Sequence, residues 1–310
     1  MHQTNDRREF LKLLSVGGVV FASGLVGCNA GTLAAPSSPA APTGNHPLLP
    51  EGDFVFLQLS DTHWGYQGTA NPESALTLKH TVATINAAPA SPDFIVFTGD
   101  LTHSTDDPGH RRTRMSEFRE IVSALKVKNL KFLPGEHDAG PDQGAMYREM
   151  FGDPNFAFAH KGVHFIALDN VSLLGASLGD AQLAWLSNQV RAVPPAAPLV
   201  VFAHRPLFDL YPDWDWTTKD GGRAIEILAT HENVTVFYGH IHQENHHLTG
   251  KIAHHSARSL IFPLPAPGST PNRAPLDWNP RSPDHGIGYR SVSLQQGAAQ
   301  LTEFAAQKAE

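Results

Sequence analysis

Acidic and histidine side chains follow five short apolar segments of this chain, each at the carboxyl end of its segment. They are Asp61 with His63, Asp100, the run Glu136 to Asp138, His204, and His240 with His242. In an extended segment, residues i and i+2 project to the same side, so each of the two spaced pairs presents two groups to one point. Carboxylate oxygens and imidazole nitrogens without a thiolate suit Mn, Fe or Zn.

The candidate ligands are more numerous than one tetrahedral or octahedral ion requires. They are Asp61, His63, Asp100, Glu136, His204, His240 and His242. Two ions ~3.5–4 Å apart that share a carboxylate would use all of them. The alternative for a single Asp after a strand, such as Asp100, is an Asx turn or the cap of the next helix.

The segments that carry these residues alternate with helical patterns. The apolar runs are Phe54–Leu59, Phe94–Phe97, Leu130–Leu133, Val163–Leu168, Leu199–Ala203 and Val234–Tyr238. Apolar residues at helical spacing lie between them, for example Phe118, Ile121, Val122 and Leu125. This alternation predicts a layered α/β domain over residues 51–305, with mainly parallel strands in its first part. Open α/β sheets bind ligands beyond the carboxyl ends of their strands, so one crevice should hold all five ends.

After Gly239 the helical periodicity disappears. The segments His246–Leu248, Ser259–Phe262 and Tyr289–Leu294 are predicted to be strands of a later, antiparallel sheet. Residues 263–288 contain many prolines and few apolar periods, which predicts a long loop, with a lid as one interpretation.

The motifs resemble those of the calcineurin-like metallophosphoesterase superfamily over nearly the whole folded part. The matching elements are Asp61-Thr-His63, Gly99-Asp100, Gly135-Glu-His-Asp138, His204 and Gly239-His-Ile-His242. The intervening segments look like the subset related to cyclic nucleotide phosphodiesterases and purple acid phosphatases. The resemblance implies a four-layer α-β-β-α sandwich of two mixed β-sheets flanked by helices.

The same resemblance implies a role for each residue. Asp61, His63 and His242 would hold one metal ion, residue 136, His204 and His240 the other, and Asp100 would bridge them. A hydroxide between two divalent or mixed-valence ions (Fe, Mn or Zn) would attack phosphorus in line. His137 would act on the leaving-group oxygen as an acid or hydrogen-bond donor, oriented by Asp138. For the last two residues the alternative is a turn with an Asx bond.

Position 136 departs from the pattern, because it is Glu where that family has Asn. Glu adds a charge and one methylene of reach, so three carboxylates would face the two ions. The ions would then be held more tightly and polarise phosphate less, with Fe(III) favoured. In the alternative interpretation, Glu136 turns away and the second metal is held loosely.

Several other residues have two possible roles each. Arg205 contacts either a substrate phosphate or a carboxylate. The aromatic segment 208–216, with Tyr211, Trp214 and Trp216, is either a pocket wall that stacks on a nucleobase or aryl group or a loop packed on the surface. The histidines 246, 247, 254 and 255 resemble a further metal cluster, but adjacent residues in a strand face opposite ways.

Composition and the N-terminal segment indicate an exported globular protein. The 310 residues are 41% hydrophobic and 17% charged with a formal charge of −7, which disfavours general binding to the nucleic acid backbone. Arg7 and Arg8 resemble a twin-arginine export signal within residues 1–27, and the run before Cys28 resembles a lipobox. We expect Cys28 to be lipidated, residues 28–50 to be a flexible tether, and the domain to lie outside the cytoplasm, bound to the membrane only through its lipid.

These features lead to one principal expectation and two alternatives. The principal expectation is a dinuclear-metal hydrolase of small phosphate mono- or diesters. The alternatives are a metal- or phosphate-binding lipoprotein with little turnover, and a hydrolase of pyrophosphate or phospholipid headgroups. The sequence does not define the oligomeric state.

Overall fold

The computed structural model describes residues 20–22, 54–88, 90–295 and 298–306. Arg7, Arg8, Cys28 and the tether 28–50 lie outside these residues, so export and lipidation stay predictions. No helix among the described residues has the length and hydrophobicity needed to cross a membrane.

Strands and helices alternate through most of the described chain. The strands are β1 Val20–Ala22, β2 Phe54–Leu59, β3 Phe94–Thr98, β4 Leu130–Leu133, β5 Phe156–His160, β6 Val163–Ala167, β7 Leu199–Phe202, β8 Val234–Tyr238, β9 Asn245–Thr249, β10 Ile252–Ser256, β11 Gly288–Gln295 and β12 Ala298–Ala305. The α-helices are α1 Ser74–Ala87, α2 Pro108–Ser123, α3 Glu136–Ala139, α4 Ala145–Phe151, α5 Gly179–Ala192 and α6 Gly221–Leu228. Single 3₁₀ turns cover Gly140–Asp142 and Pro212–Trp214.

The strands form two six-stranded mixed sheets. The first has the order β1-β12-β11-β2-β3-β4 and the second β5-β6-β7-β8-β10-β9. Strands β2, β3 and β4 are parallel, as are β6, β7, β8 and β10, and the remaining strands pair antiparallel. The carboxyl ends of the parallel strands therefore carry the loops in which the candidate ligands lie.

The two sheets pack face to face through a cluster of phenylalanines. Phe56 of the first sheet stacks on Phe94 at 4.9 Å between ring centroids and meets Phe165 and Phe237 of the second sheet edge to face. Helices α1 and α2 cover the outer face of the first sheet, and α5 and α6 that of the second. This arrangement confirms the predicted four-layer α-β-β-α sandwich.

Two predictions about the last part of the chain are wrong. Ser259–Phe262 is a loop, because the Ser259 hydroxyl closes a tight turn by donating to Phe262 O at 2.6 Å. There is also no separate later sheet among the described residues. Strands β9 and β10 extend the second sheet and β11 and β12 extend the first, since both sheets had an open edge to pair.

The four histidines of β9 and β10 form two cross-strand pairs. His247 lies opposite His254 and His246 opposite His255, and the Nδ1 atoms of the second pair are 2.7 Å apart. His247 stacks on Phe208 at 3.8 Å between ring centroids. Within the described residues, no group of three or more potential ligands includes these histidines. The structure therefore favours packing over a further metal cluster.

His254 is fully buried and neither ring nitrogen has a hydrogen-bond partner in the described part of the chain. Burial, with the neighbouring His247 adding to it, lowers the pKa of His254 to about 4. The unfolded chain binds this proton below pH ~6.5, while the folded chain binds it only near pH 4. The folded state therefore loses stability as the pH falls through this window.

We predict that His254→Phe removes this acid sensitivity. Between pH 6.5 and 4 the free energy of unfolding of the wild type should fall ~1.4 kcal/mol per pH unit more steeply than that of the variant. Urea unfolding of both proteins in a chelator measures the two slopes, and His110→Gln at an exposed position controls for the loss of an imidazole. Equal slopes in His254→Phe and the wild type would contradict the prediction.

Candidate metal centre

The structure brings the seven candidate ligands together in two groups that share Asp100. One group is Asp61, His63, Asp100 and His242, and the other is Asp100, Glu136, His204 and His240. Within each group the potential ligand atoms lie within 4.8 Å of one another. The first sheet supplies Asp61, His63, Asp100 and Glu136 through the loops after β2, β3 and β4, and the second sheet supplies the rest. The centre therefore lies beyond the carboxyl ends of the parallel strands, where the loops of the two sheets meet.

Asp100 is the one residue that belongs to both of these ligand groups. Its Oδ1 accepts a hydrogen bond from the backbone N–H of His137 at 2.9 Å. Its Oδ2 lies 3.4 Å from His63 Nε2 and 3.5 Å from His204 Nε2, one from each group. The side chain is 2% exposed, so one carboxylate oxygen is fixed and the other is free to face both groups.

The ligands converge through left-handed backbone rather than through extended segments. Asp61, His63, Asp100, His240 and His242 have φ angles of 53°, 41°, 47°, 67° and 52°. Asp61 and His63 join one ligand group as expected, although their backbone is left-handed and not extended. His240 and His242 join different groups, so the expectation that this pair meets at one point is wrong. Non-glycine residues in this region cost of order 1–3 kcal/mol each, and such strain persists where the surroundings impose it.

Two glycines of the motifs are required by close approach to the ligands. A Cβ at Gly135 would lie 2.0 Å from Asp100 Oδ1, and one at Gly239 would lie 2.0 Å from the Ser60 hydroxyl and 2.8 Å from Asp61 Oδ2. No larger residue fits either position without moving a ligand. This packing explains why glycine precedes the ligands in these two motifs.

Backbone carbonyls determine which nitrogen each histidine presents to the centre. His204 Nδ1 lies 2.7 Å from Thr98 O, His242 Nδ1 lies 2.8 Å from Phe262 O, and His240 Nε2 lies 3.2 Å from Asp215 O. A carbonyl only accepts, so Nδ1 of His204 and Nδ1 of His242 carry the proton. His240 Nε2 lies between Asp215 O and Arg273 Nη1, the latter at 3.4 Å, and the shorter contact to the carbonyl favours a proton there as well. The opposite nitrogen of each neutral ring is then a lone pair directed inward, which is the usual arrangement of metal-binding histidines.

His63 also has its outer nitrogen, Nδ1, held by a neighbouring group. That group is His103, a residue not predicted from the sequence. His63 Nδ1 lies 3.3 Å from Nδ1 of His103, while His63 Nε2 faces Asp100 and lies 3.2 Å from His242 Nε2. Burial, with His137 adding to it, lowers the pKa of His103 to about 4, so this ring is neutral and can accept. His103 comes three residues after Asp100, and its place beyond a ligand-bearing strand was the available signal.

The inner face of the centre needs a cation. Glu136 Oε2 lies 2.9 Å from His204 Nε2, and Glu136 Oε1 lies 2.9 Å from His240 Nδ1. His204 Nε2, His240 Nδ1 and Glu136 Oε2 are all buried without a hydrogen-bond partner among the described residues. Lone pairs of nitrogen and carboxylate oxygen repel one another at this distance unless a proton or metal ion lies between them. The residues therefore fit a pair of metal ions with oxygen and nitrogen ligands.

Electrostatics support this reading. Burial opposes a charge on His204, but Asp100 and Glu136 outweigh burial and raise its pKa well above the ordinary value. Burial, with His137 adding to it, lowers the pKa of His63 well below the ordinary value, and burial also lowers that of His240. A proton is thus drawn to the place between His204 and the carboxylates, where a metal ion would take over the same role.

The partner that we predicted for His137 is wrong. His137 Nδ1 lies 2.6 Å from the Ser104 hydroxyl and accepts from the Ser104 backbone N–H at 3.2 Å. An amide N–H only donates, so the proton of the neutral ring is on Nε2, which lies 4.0 Å from Asp100 Oδ2. The His137 side chain is 28% exposed, so Nε2–H can reach a bound substrate.

Asp138 does not orient His137. Its carboxylate accepts from the backbone N–H groups of Leu101, Thr102 and Gly135 at 2.9–3.0 Å, and from the Thr102 hydroxyl at 2.9 Å. The side chain is fully buried, which with the charge of Asp100 raises its pKa to about 6 against the effect of these donors. Asp138 therefore ties the loop after β4 to the loop after β3, and its carboxylate is fully buried.

The predicted substrate-binding residues are mostly buried. Arg205 is 4% exposed and pairs with carboxylates, its Nη2 lying 2.5 Å from Asp215 Oδ2. Trp216 is fully buried and Trp214 is 6% exposed, so both pack in the core beside Tyr238 and neither ring is available for stacking on a substrate. Tyr211 is half-buried, and its ring meets Trp214 edge to face.

Comparison with known proteins agrees with this site. The family model described as calcineurin-like phosphoesterase matches residues 54–244, and the chain belongs to that family. A serine/threonine-protein phosphatase of Bos taurus is 28% identical over 220 residues, which cover 62% of this chain and 70% of that protein. A probable cyclic nucleotide phosphodiesterase of Rhodopseudomonas palustris is 24% identical over 235 residues, covering 69% of this chain and 84% of that protein.

The fold is also similar to that of a solved dimetal phosphatase from Danio rerio. The TM-score is 0.54 and the sequences are 13% identical, with 83% of this chain and 99% of that chain covered. Together, the family match and these relatives identify the protein as a phosphoesterase with a buried His/Asp cluster suited to two metal ions.

We predict that Asp138→Asn lowers stability rather than acting on the leaving group. The amide would turn a donor toward groups that are themselves donors, at a cost of about 1–3 kcal/mol in unfolding free energy. Denaturant unfolding measures the loss, and Asp153→Asn at an exposed position is the matched control. Wild-type stability combined with slow turnover confined to poor leaving groups would instead restore the catalytic role.

Proposed function

We propose that the protein is a dinuclear-metal hydrolase of small phosphate esters, with phosphodiesters and phosphomonoesters as its substrate class. The observation that carries this proposal is the pair of ligand groups sharing Asp100, whose inward lone pairs require cations. The metals are Mn, Fe or Zn, in line with the nitrogen and oxygen ligands. Two such ions, when bound, supply an activated water for attack on phosphorus and neutralise charge on its oxygens.

The chain's own residues account for the remaining requirements. His204 and His242 are held as lone-pair donors by backbone carbonyls, so the centre is preorganised. The His137 side chain is 28% exposed and presents Nε2–H 4.0 Å from Asp100 Oδ2, where it would donate a hydrogen bond to the phosphoryl or leaving-group oxygen. Ser104 keeps this proton on Nε2 by occupying Nδ1. A phosphodiester is supported by the cyclic nucleotide phosphodiesterase among the relatives, and a monoester by the phosphatases.

One observation favours a second candidate, a lipoprotein that binds metal or phosphate with little turnover. Glu136 places a third carboxylate at the centre, 2.9 Å from two of the histidines. This charge makes the protein hold the metals more tightly, and it makes the metals polarise a bound phosphate less. Turnover separates the two candidates.

The expected outcome for the proposed function concerns metal content and substrate range. The purified protein should carry two ions per chain by elemental analysis, and removing them should lower the unfolding free energy by ~3 kcal/mol or more when the metal was in hundredfold excess over its dissociation constant. Reloading with Mn, Fe or Zn should restore hydrolysis of at least one substrate among bis-aryl phosphate, aryl phosphate and cyclic nucleotides. Two bound ions without turnover on any of these would favour the binding protein.

We further propose that the domain acts outside the cytoplasm, anchored by a lipid on Cys28. The twin-arginine pair Arg7 and Arg8 would export a folded domain, which allows the metals to load first. In Cys28→Ser the protein should leave the membrane fraction while its metal content stays the same, because Cys28 is not one of the proposed metal ligands. A Cys28→Ser variant that still fractionates with membranes would contradict lipidation.

A further inference from the structure

The second ligand group contains a charge that the rest of the site must balance. Glu136 is 25% exposed and lies between His204 and His240, with one carboxylate oxygen 2.9 Å from each. Asp61 and Asp100 already bring two buried carboxylates to the centre. A third negative charge strengthens the hold on a cation and reduces the attraction for an anionic phosphate.

The guanidinium of Arg205 lies against the carboxylate of Glu136. Arg205 Nε lies 3.7 Å from Glu136 Oε2. This Nε atom has no hydrogen-bond partner among the described residues. The guanidinium is held from the other side by Asp215, through Oδ2 at 2.5 Å and the backbone O at 3.1 Å. Because Arg205 is 4% exposed, water screens its charge poorly.

Asp215 contacts both Arg205 and the ligand His240. Its backbone O accepts from His240 Nε2 as well as from Arg205, so it fixes a ligand and the cation together. Its carboxylate is 60% exposed and therefore partly screened, so it offsets only part of the Arg205 charge. The remainder acts on Glu136 and on the ion beside it.

We propose that Arg205 is a positioning residue that supplies the counter-charge to Glu136, and that Arg205 and Asp215 together set how tightly the group of Asp100, Glu136, His204 and His240 holds its metal ion. This inference rests on the proposed function, since it requires an ion in that group. It assigns to Arg205 a role in charge balance in place of direct contact with the substrate.

The proposal is tested by whether each substitution makes the protein bind its metal ion more tightly or more weakly. The full chain is loaded with Mn²⁺, and the affinities for both ions are measured by competition with a chelator. The ion whose affinity changes in Glu136→Asn is the one assigned to the group of Asp100, Glu136, His204 and His240. Arg205→Met should bind that ion about tenfold more tightly, because a buried positive charge is removed. Asp215→Asn should bind it several-fold more weakly, because the Arg205 charge is then fully felt. Asn also tolerates the left-handed backbone of residue 215, where φ is 64°.

The compensated double variant gives the sharpest result. Glu136→Asn alone should weaken retention about tenfold, and Glu136→Asn with Arg205→Met should return to within about threefold of the wild type. Arg223→Met is the matched control, since Arg223 pairs with Asp180 at the exposed surface. The melting temperature of each variant in a chelator shows whether it folds.

The outcomes separate failure of the inference from failure of the proposed function. Weaker retention in Arg205→Met, or a double variant worse than both single variants, would mean that Arg205 is only structural and would overturn the inference. If Arg205→Met does not fold, unchanged or tighter retention in Asp215→Asn overturns it as well. A wild type that binds no Mn²⁺, Fe²⁺ or Zn²⁺ would overturn the proposed function itself.

Discussion

The buried carboxylate of Asp100 is the group on which the arrangement of the site depends. Burial and the charge of Glu136 oppose its ionisation, but the surrounding histidines outweigh them and keep its pKa below the usual range. One oxygen is fixed by the His137 amide, and the other faces His63 from the first sheet and His204 from the second. Ions bound at this oxygen would join the two sheets, so metal binding and the stability of the sheet interface are linked.

The rest of the centre is held in place by hydrogen bonds that orient its ligands. Thr98 O, Phe262 O and Asp215 O each fix one histidine ring, and Asp138 ties together the two loops that carry Asp100 and Glu136. Five of the ligands have left-handed backbone, a strain that persists only where the surroundings impose it. The phenylalanine core between the sheets supplies a rigid support for this strain, since its rings leave the strand ends little freedom to move.

The sequence predicted the parts of the structure that depend on pattern. Strand and helix periodicity predicted the layered fold, and the polar residues after the strands predicted that the seven ligands meet in one crevice. The resemblance to the phosphoesterase family predicted how they divide into two groups. Prediction from the sequence failed where a contact is set by tertiary geometry. Nothing local distinguishes Asp138 as a clamp from Asp138 as the partner of His137, because both roles follow from the same turn. The stacking role considered for Trp216 is excluded because other parts of the chain pack over its ring. The strand predicted at Ser259–Phe262 is wrong because the Ser259 side chain closes a turn there.

The charge balance of the second ligand group also depends on tertiary structure. Glu136 follows β4 of the first sheet, whereas Arg205 and Asp215 follow β7 of the second, so residues distant in sequence and in different sheets meet at one ion site. An extra carboxylate read from the sequence alone indicates a site with excess negative charge. The buried guanidinium 3.7 Å away changes that conclusion, because the charge that a phosphate meets is the sum over both loops. Glu136 therefore has to be judged together with Arg205, and the pair is compatible with a hydrolase.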